Sequence, residues 1–134
     1  GLTVWIALDD VDEENGCLRY LPGPHTDGER APADFTEGAT QPRRAELSPI
    51  DLRDVAAAES VPLAAGEAVV HDPLVAHMSP PNLSSRPRRA WSISLVRDDA
   101  RWDPGHAPHP YAWTLSPTAG APLEPARFPR LTPG

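Results

Sequence analysis

Lysine is absent from this sequence. All twelve basic residues are arginine, which excludes a Schiff-base lysine and the phosphate-gripping lysine of a P-loop. Cysteine occurs once, at Cys17. No internal disulfide is possible, and the usage suits a reducing compartment, so we expect a cytoplasmic protein. No apolar run approaches the ~18 residues of a membrane span. Basic charge is scarce: twelve arginines face nineteen acids, a formal net charge of −7. Such a domain is a poor partner for phosphate backbones, so neither nucleic acid nor membrane is expected to bind.

Proline is in excess, with eighteen among 134 residues. Proline costs about 3 kcal/mol inside a helix, so a helical bundle is excluded. Hydrophobic residues at 40% and charged residues at 23% fit one globular domain with a core of its own.

Residues 2–8 (Leu2-Thr3-Val4-Trp5-Ile6-Ala7-Leu8) are rich in β-formers and apolar on both faces, the pattern of a buried strand. The chain opens on Gly1 and enters this strand at once, which leads us to expect a further part of the domain upstream. Five acids follow within residues 9–14 and read as a solvated loop. Asn15-Gly16 signals a tight turn, residues 17–21 resume as a strand, and Pro22-Gly23-Pro24 stops it. Residues 24–60 read as a long lid-like insertion with one short helix over 50–59, begun by Ser48-Pro49.

Short strands return from Val61, with further ones expected over 68–71, 74–78 and 90–96. In the last, Trp91, Ile93 and Leu95 alternate with Ser92 and Ser94. We expect the large residues to fill the apolar core and the small polar ones to line the opposite face. Residues 98–134 hold eight prolines and read as a Pro-rich extended tail. Short strands with Pro/Gly turns predict a mainly β protein, a sandwich or jelly roll.

Two residues stand out as chemistry. His77 ends a short strand, where it is either a histidine bonded to backbone or a metal ligand. Arg88 shares parity with Ala90, Ser92 and Ser94. Either it belongs to a solvated basic cluster with Arg86 and Arg89, or it points inward and needs an anionic partner, a planar carboxylate being the natural one.

The segments Trp5-Ile6-Ala7-Leu8-Asp9-Asp10, Glu14-Asn15-Gly16-Cys17-Leu18, Leu21-Pro22-Gly23 with His25, and His77 through Ala90 resemble the phytanoyl-CoA dioxygenase family. The likeness covers residues 2–25 and about 61–97, in the family's order, with Pro24 where Ser or Thr is usual. It implies a double-stranded β-helix (a cupin-like jelly roll), here incomplete over residues 1–97, and Fe(II)- and 2-oxoglutarate-dependent oxygenase activity on a small organic substrate.

By this resemblance His77 is the distal histidine of a two-histidine, one-carboxylate iron site. Arg88 pairs with the far carboxylate of 2-oxoglutarate. Trp5 and Ser79 line the 2-oxoglutarate site, and Asn82 helps shape the pocket. The family's His-x-Asp pair precedes the strand of Trp5, so it is expected before Gly1. His25-Thr26-Asp27 imitates that pair, but the resemblance puts His25 in a loop, and we read it as a decoy. His71-Asp72 is read as structural. Asn82-Leu83-Ser84 matches a glycosylation sequon and is read as a turn. The rival function is a non-catalytic jelly-roll module that binds a small carboxylate or a protein partner.

Overall fold

The computed structural model describes residues 1–23, 56–103, 118–124 and 128–131. They divide into two units, the first holding residues 1–23 and 56–95 and the second the rest. Among the described residues, no helix is long and apolar enough to cross a membrane.

The first unit contains six strands: β1 (Leu2–Ala7), β2 (Leu18–Leu21), β3 (Glu59–Val61), β4 (Ala68–His71), β5 (Ala76–Met78) and β6 (Ala90–Leu95). They form two three-stranded antiparallel sheets, ordered β4-β1-β6 and β3-β2-β5. The chain changes sheet between β1 and β2, returns between β3 and β4, and crosses again between β4 and β5 and between β5 and β6. This is the crossing connectivity of a jelly roll.

Residues directly opposite in an antiparallel ladder share a face. Thr3 stands opposite His71 and Ser94, Trp5 opposite Val69 and Ser92, and Ala7 opposite Ala90. This face carries the core: Ala7 is fully buried and clusters with Val11 and Cys17, with Trp5 and Leu63 packed against them. The Val11–Leu63 bridge closes the cluster through paired backbone hydrogen bonds of 2.8 and 3.0 Å.

The expectation for Trp91, Ile93 and Leu95 is therefore corrected. They lie on the opposite face of the first sheet, where Trp91 is 61% exposed and Val70 56%. Of the large set only Trp91 is exposed, Ile93 and Leu95 being half-buried on that face, while the small Ala90 and Ser92 share a face with the core and are themselves exposed.

The two crossings that flank the site lie side by side and are strapped together. Gly16 has φ 85°, and a Cβ there would stand 2.5 Å from the Pro80 carbonyl oxygen. The Ser79 hydroxyl donates to the Gly16 carbonyl at 3.0 Å, and the Leu83 amide donates to Glu14 O at 3.1 Å. Asn15 is fully buried: its Oδ1 accepts from the Asp12 amide, and its Nδ2 donates to the carbonyls of Asp10 and Pro87. Arg86 pairs with Asp12 and Glu14, and Arg89 grips Asp9 with two side-chain nitrogens. The acidic run is thus not merely a solvated loop. Three of its five carboxylates are partners for the arginines that precede β6.

Several bounds also shift. β3 begins at Glu59, ahead of the expected Val61. Of the helix expected over 50–59, residues 50–55 lie outside the described residues, Ala56 is helical and Glu59 is already strand. β5 starts at Ala76 rather than Leu74, because Asp72 turns the chain by accepting from the Leu74 and Val75 amides. In the second unit, Arg101 bridges to Pro122 around a turn at Gly120 (φ 76°), so this part of the Pro-rich tail is folded on itself.

Candidate active site

His77 is the middle residue of β5 and stands directly opposite Tyr20 of β2. Its side chain is exposed, and its Nδ1–H donates to the Val75 carbonyl at 2.9 Å. The tether places the proton on Nδ1 and leaves Nε2 as the ring's available lone pair, the state a metal ligand needs.

His71, at the end of β4, sits across from it. The two imidazole centroids are 4.6 Å apart, with planes at 45°. His71 is 8% exposed, and a 2.8 Å hydrogen bond joins its Nδ1 to the Tyr20 hydroxyl. Burial holds the His71 pKa below its ordinary value, with the nearby His77 adding to the effect, and burial pushes Tyr20 up to about 12. Both groups are neutral at pH 7, and we assign the hydroxyl as donor. Because β4 belongs to one sheet and β2 to the other, this bond crosses the space between the sheets and marks their facing surfaces.

Arg88 lies two residues before Ala90, outside β6, and has the parity of Ala90 and Ser92, which face Ala7 and Trp5 across the ladder. One ladder bond remains beyond β6, from the Leu8 amide to Arg89 O at 3.0 Å, while the Arg89 amide turns to the Asp9 carboxylate at 2.8 Å. Arg86 and Arg89 are spoken for by acids, whereas half-buried Arg88 has no ion-pair partner among the described residues. The three arginines do not form one solvated basic cluster.

The other residues of interest fall as follows. Trp5 is half-buried against the core cluster. Ser79 spends its hydroxyl proton on Gly16. Asn82 forms an Asx turn, its Oδ1 accepting from the Ser84 amide at 2.9 Å, while its Nδ2 donates to Arg86 O. His25 and Asp27 lie outside the described residues. Among the described residues no three His, Cys, Asp or Glu side chains converge as a metal cluster would. Tyr20 escaped notice in the sequence. The available signal was its parity with Leu18 in a short strand, which could not name a partner 51 positions away.

Two antiparallel sheets joined by the Tyr20–His71 hydrogen bond, with the His77 ring beside it, define a jelly-roll protein with a polar cluster between its sheets. Residues 1–90 match the phytanoyl-CoA dioxygenase (PhyH) family, and the chain belongs to it. Among relatives, it is 34% identical over 125 residues to phytanoyl-CoA dioxygenase domain-containing protein 1 of Bos taurus, covering 92% of this chain and 40% of that protein. A Caenorhabditis elegans homolog is 34% identical over 103 residues, covering 74% of this chain and 36% of its own length. The chain therefore spans well under half the length of these relatives.

Among solved structures, the non-heme alpha ketoglutarate dependent carbocyclase SnoK from nogalamycin biosynthesis aligns with TM-score 0.62 and 35% identity, over 92% of this chain and 45% of that one. The epimerase SnoN, solved with Fe3+, alpha ketoglutarate and nogalamycin RO, aligns with TM-score 0.59 over 92% of this chain and 47% of its own. At 24% identity it speaks for the fold alone.

Proposed function

We propose that this chain carries part of the catalytic machinery of an Fe(II)- and 2-oxoglutarate-dependent oxygenase acting on a small organic substrate. The overall reaction consumes substrate, O2 and 2-oxoglutarate and yields hydroxylated substrate, succinate and CO2, with one oxygen atom going to each organic product. Iron, when bound, supplies the oxidising chemistry. The protein's residues supply geometry and exclude water.

His77 offers Nε2 as one iron ligand, in the tautomer its bond to Val75 imposes. Its donor chemistry fits Fe(II). The described residues do not supply the other two donors of a facial triad, which this reading requires from elsewhere in the protein. Arg88 receives the far carboxylate of 2-oxoglutarate on both oxygens, a charge-assisted bond pair that its planar fork suits. Trp5 and Ser79 belong to the wall of that co-substrate site. Ser79 has only acceptor capacity left, because its proton goes to Gly16.

The observation that carries the reading is Arg88. A half-buried guanidinium without a partner, flanked by two arginines that both have one, calls for an anion that the described residues do not provide. The rival, a carboxylate-binding module without metal, keeps the same role for Arg88 and differs in needing no ligand role for His77.

One pair of measurements decides. In the full-length protein, Arg88→Ala should weaken 2-oxoglutarate binding roughly 10- to 150-fold, as expected for losing a charged hydrogen-bonded pair of ~1.5–3 kcal/mol. It should depress Fe(II)-dependent succinate release in parallel. Unchanged 2-oxoglutarate affinity refutes the role of Arg88. Carboxylate binding that is indifferent to metal, with no succinate formed, favours the module.

A further inference from the structure

We infer that Tyr20 and His71 are positioning residues for His77: their hydrogen bond ties the two sheets together and holds the ring wall that fixes the orientation of the His77 imidazole. The inference rests on the reading of His77 as a metal ligand.

Three rings meet in this place. Tyr20 and His71 have centroids 5.2 Å apart, His71 and His77 4.6 Å, and Tyr20 and His77 5.9 Å. The Val75 tether decides which nitrogen of His77 carries the proton. A single bond to one ring atom, on an exposed side chain in a three-residue strand, leaves the ring a range of tilts. The neighbouring rings narrow that range, His71 from the facing sheet and Tyr20 from the neighbouring strand.

Simple packing would be served equally well by Phe and Leu at positions 20 and 71. Instead the protein sets the hydroxyl of a half-buried tyrosine against a buried imidazole, and the two satisfy each other at 2.8 Å. A buried polar pair is directional: it sets the rotamer of both rings, where apolar contact would set only their spacing. Losing the hydroxyl leaves the His71 Nδ1 buried and unsatisfied, and losing the imidazole leaves the half-buried Tyr20 ring free to turn its hydroxyl to water.

The test uses the full-length protein with Co(II) as the probe, read by titration and by visible ligand-field absorption at saturation. Outer groups that orient a metal-bound histidine are worth tenfold to hundredfold in affinity. This contact acts through ring packing, so we expect about tenfold weaker binding and a changed absorption spectrum for Tyr20→Phe and His71→Leu. His71→Asn keeps an acceptor near the Nδ1 position that holds the Tyr20 ring, though the imidazole is gone, and should recover part of the lost affinity. A merely structural pair would lower the melting temperature and leave the saturated spectrum as it was.

Wild-type affinity and spectrum in Tyr20→Phe overturn the inference, as does an Asn variant no better than Leu. Should His71→Leu fail to fold, Tyr20→Phe and His71→Asn still decide. His77→Ala separates the two levels. If it abolishes Co(II) binding while Tyr20→Phe changes nothing, the positioning role fails and the ligand stands. If His77→Ala binds Co(II) as wild type does, the ligand assignment itself falls.

Discussion

Gly16→Ala should be among the most costly single-methyl additions in this protein, and the structure separates its two causes. The first is backbone strain: φ is 85° at Gly16, a region that costs a residue with a Cβ about 1–2 kcal/mol. The second is collision, because the new Cβ would stand 2.5 Å from the Pro80 carbonyl oxygen and 3.4 Å from the carbonyl carbons of Pro80 and Pro81. Those atoms are backbone, in a segment whose φ angles are locked by two proline rings, so they do not step aside cheaply. Overpacking of this kind adds roughly 1–3 kcal/mol, for a total of about 2–5 kcal/mol. Gly66 is the internal control, with φ 91° and nothing within 4 Å of the place a methyl would take. Gly66→Ala should show the strain alone. Urea unfolding of the full-length protein measures both, and the difference between the two variants is the collision. Equal losses would refute the claim that the chain leaving β5 is docked against the Glu14–Gly16 turn. The same docking holds the exit of the His77 strand, so Gly16→Ala should also weaken metal binding where Gly66→Ala does not.

Two further outcomes follow from the strap between crossings and from the core. Hydrogen bonds from the Arg89 side chain and amide lower the Asp9 pKa to about 2, from an ordinary value of 3.8. Its stabilising contribution is complete above pH ~4 and lost as pH falls toward 2, so Asp9→Asn should flatten the acid limb of a urea-midpoint profile in that window. An unaltered limb would mean that the pair does not persist in solution. Cys17 is fully buried, and burial raises its thiol pKa. Iodoacetamide should therefore leave it unmodified in native protein and label it on unfolding, while rapid native labelling would show that the Ala7–Val11–Cys17 cluster is open.

Much of the fold was legible because it depends on local pattern. The run of β-formers over residues 2–8, apolar on both faces, and the alternation of 90–96 identified β1 and β6, and Pro/Gly punctuation marked where strands stop. Asn15-Gly16 was legible as a turn, but not as a turn between sheets: its partner is Pro80, 64 positions on, and turn chemistry carries no information about what the turn packs against. The acidic run suffered the same limit. Read alone, residues 9–14 are a solvated surface. Only the return of the chain through 86–89 turns three of those acids into partners for Arg86 and Arg89. Arg88 and His77 could be singled out from their residue types and strand parity, while Tyr20 acquires meaning only from His71 in the other sheet.

The inverted faces of β6 carry the larger lesson for the site. Period two separates Trp91, Ile93 and Leu95 from Ala90 and Ser92 without saying which set turns inward, and the size of the apolar set argues for the core. That argument assumes that the space between the sheets is filled by side chains. Here Trp5, Ala7, Ala90 and Ser92 share a face with Val69, with His71 at one end of the strands and Arg88 two residues before Ala90 at the other. The β6 residues on that face, Ala90 and Ser92, are small and exposed, and a neighbouring arginine adds charge that apolar side chains do not neutralise. On the proposed function, small residues beside a guanidinium that has no ion-pair partner among the described residues would accommodate a carboxylate co-substrate. This is why the 2-oxoglutarate affinity of Arg88→Ala tests the architecture together with the chemistry: an arginine that proves indifferent to carboxylate would leave the small residues of that face without a reason.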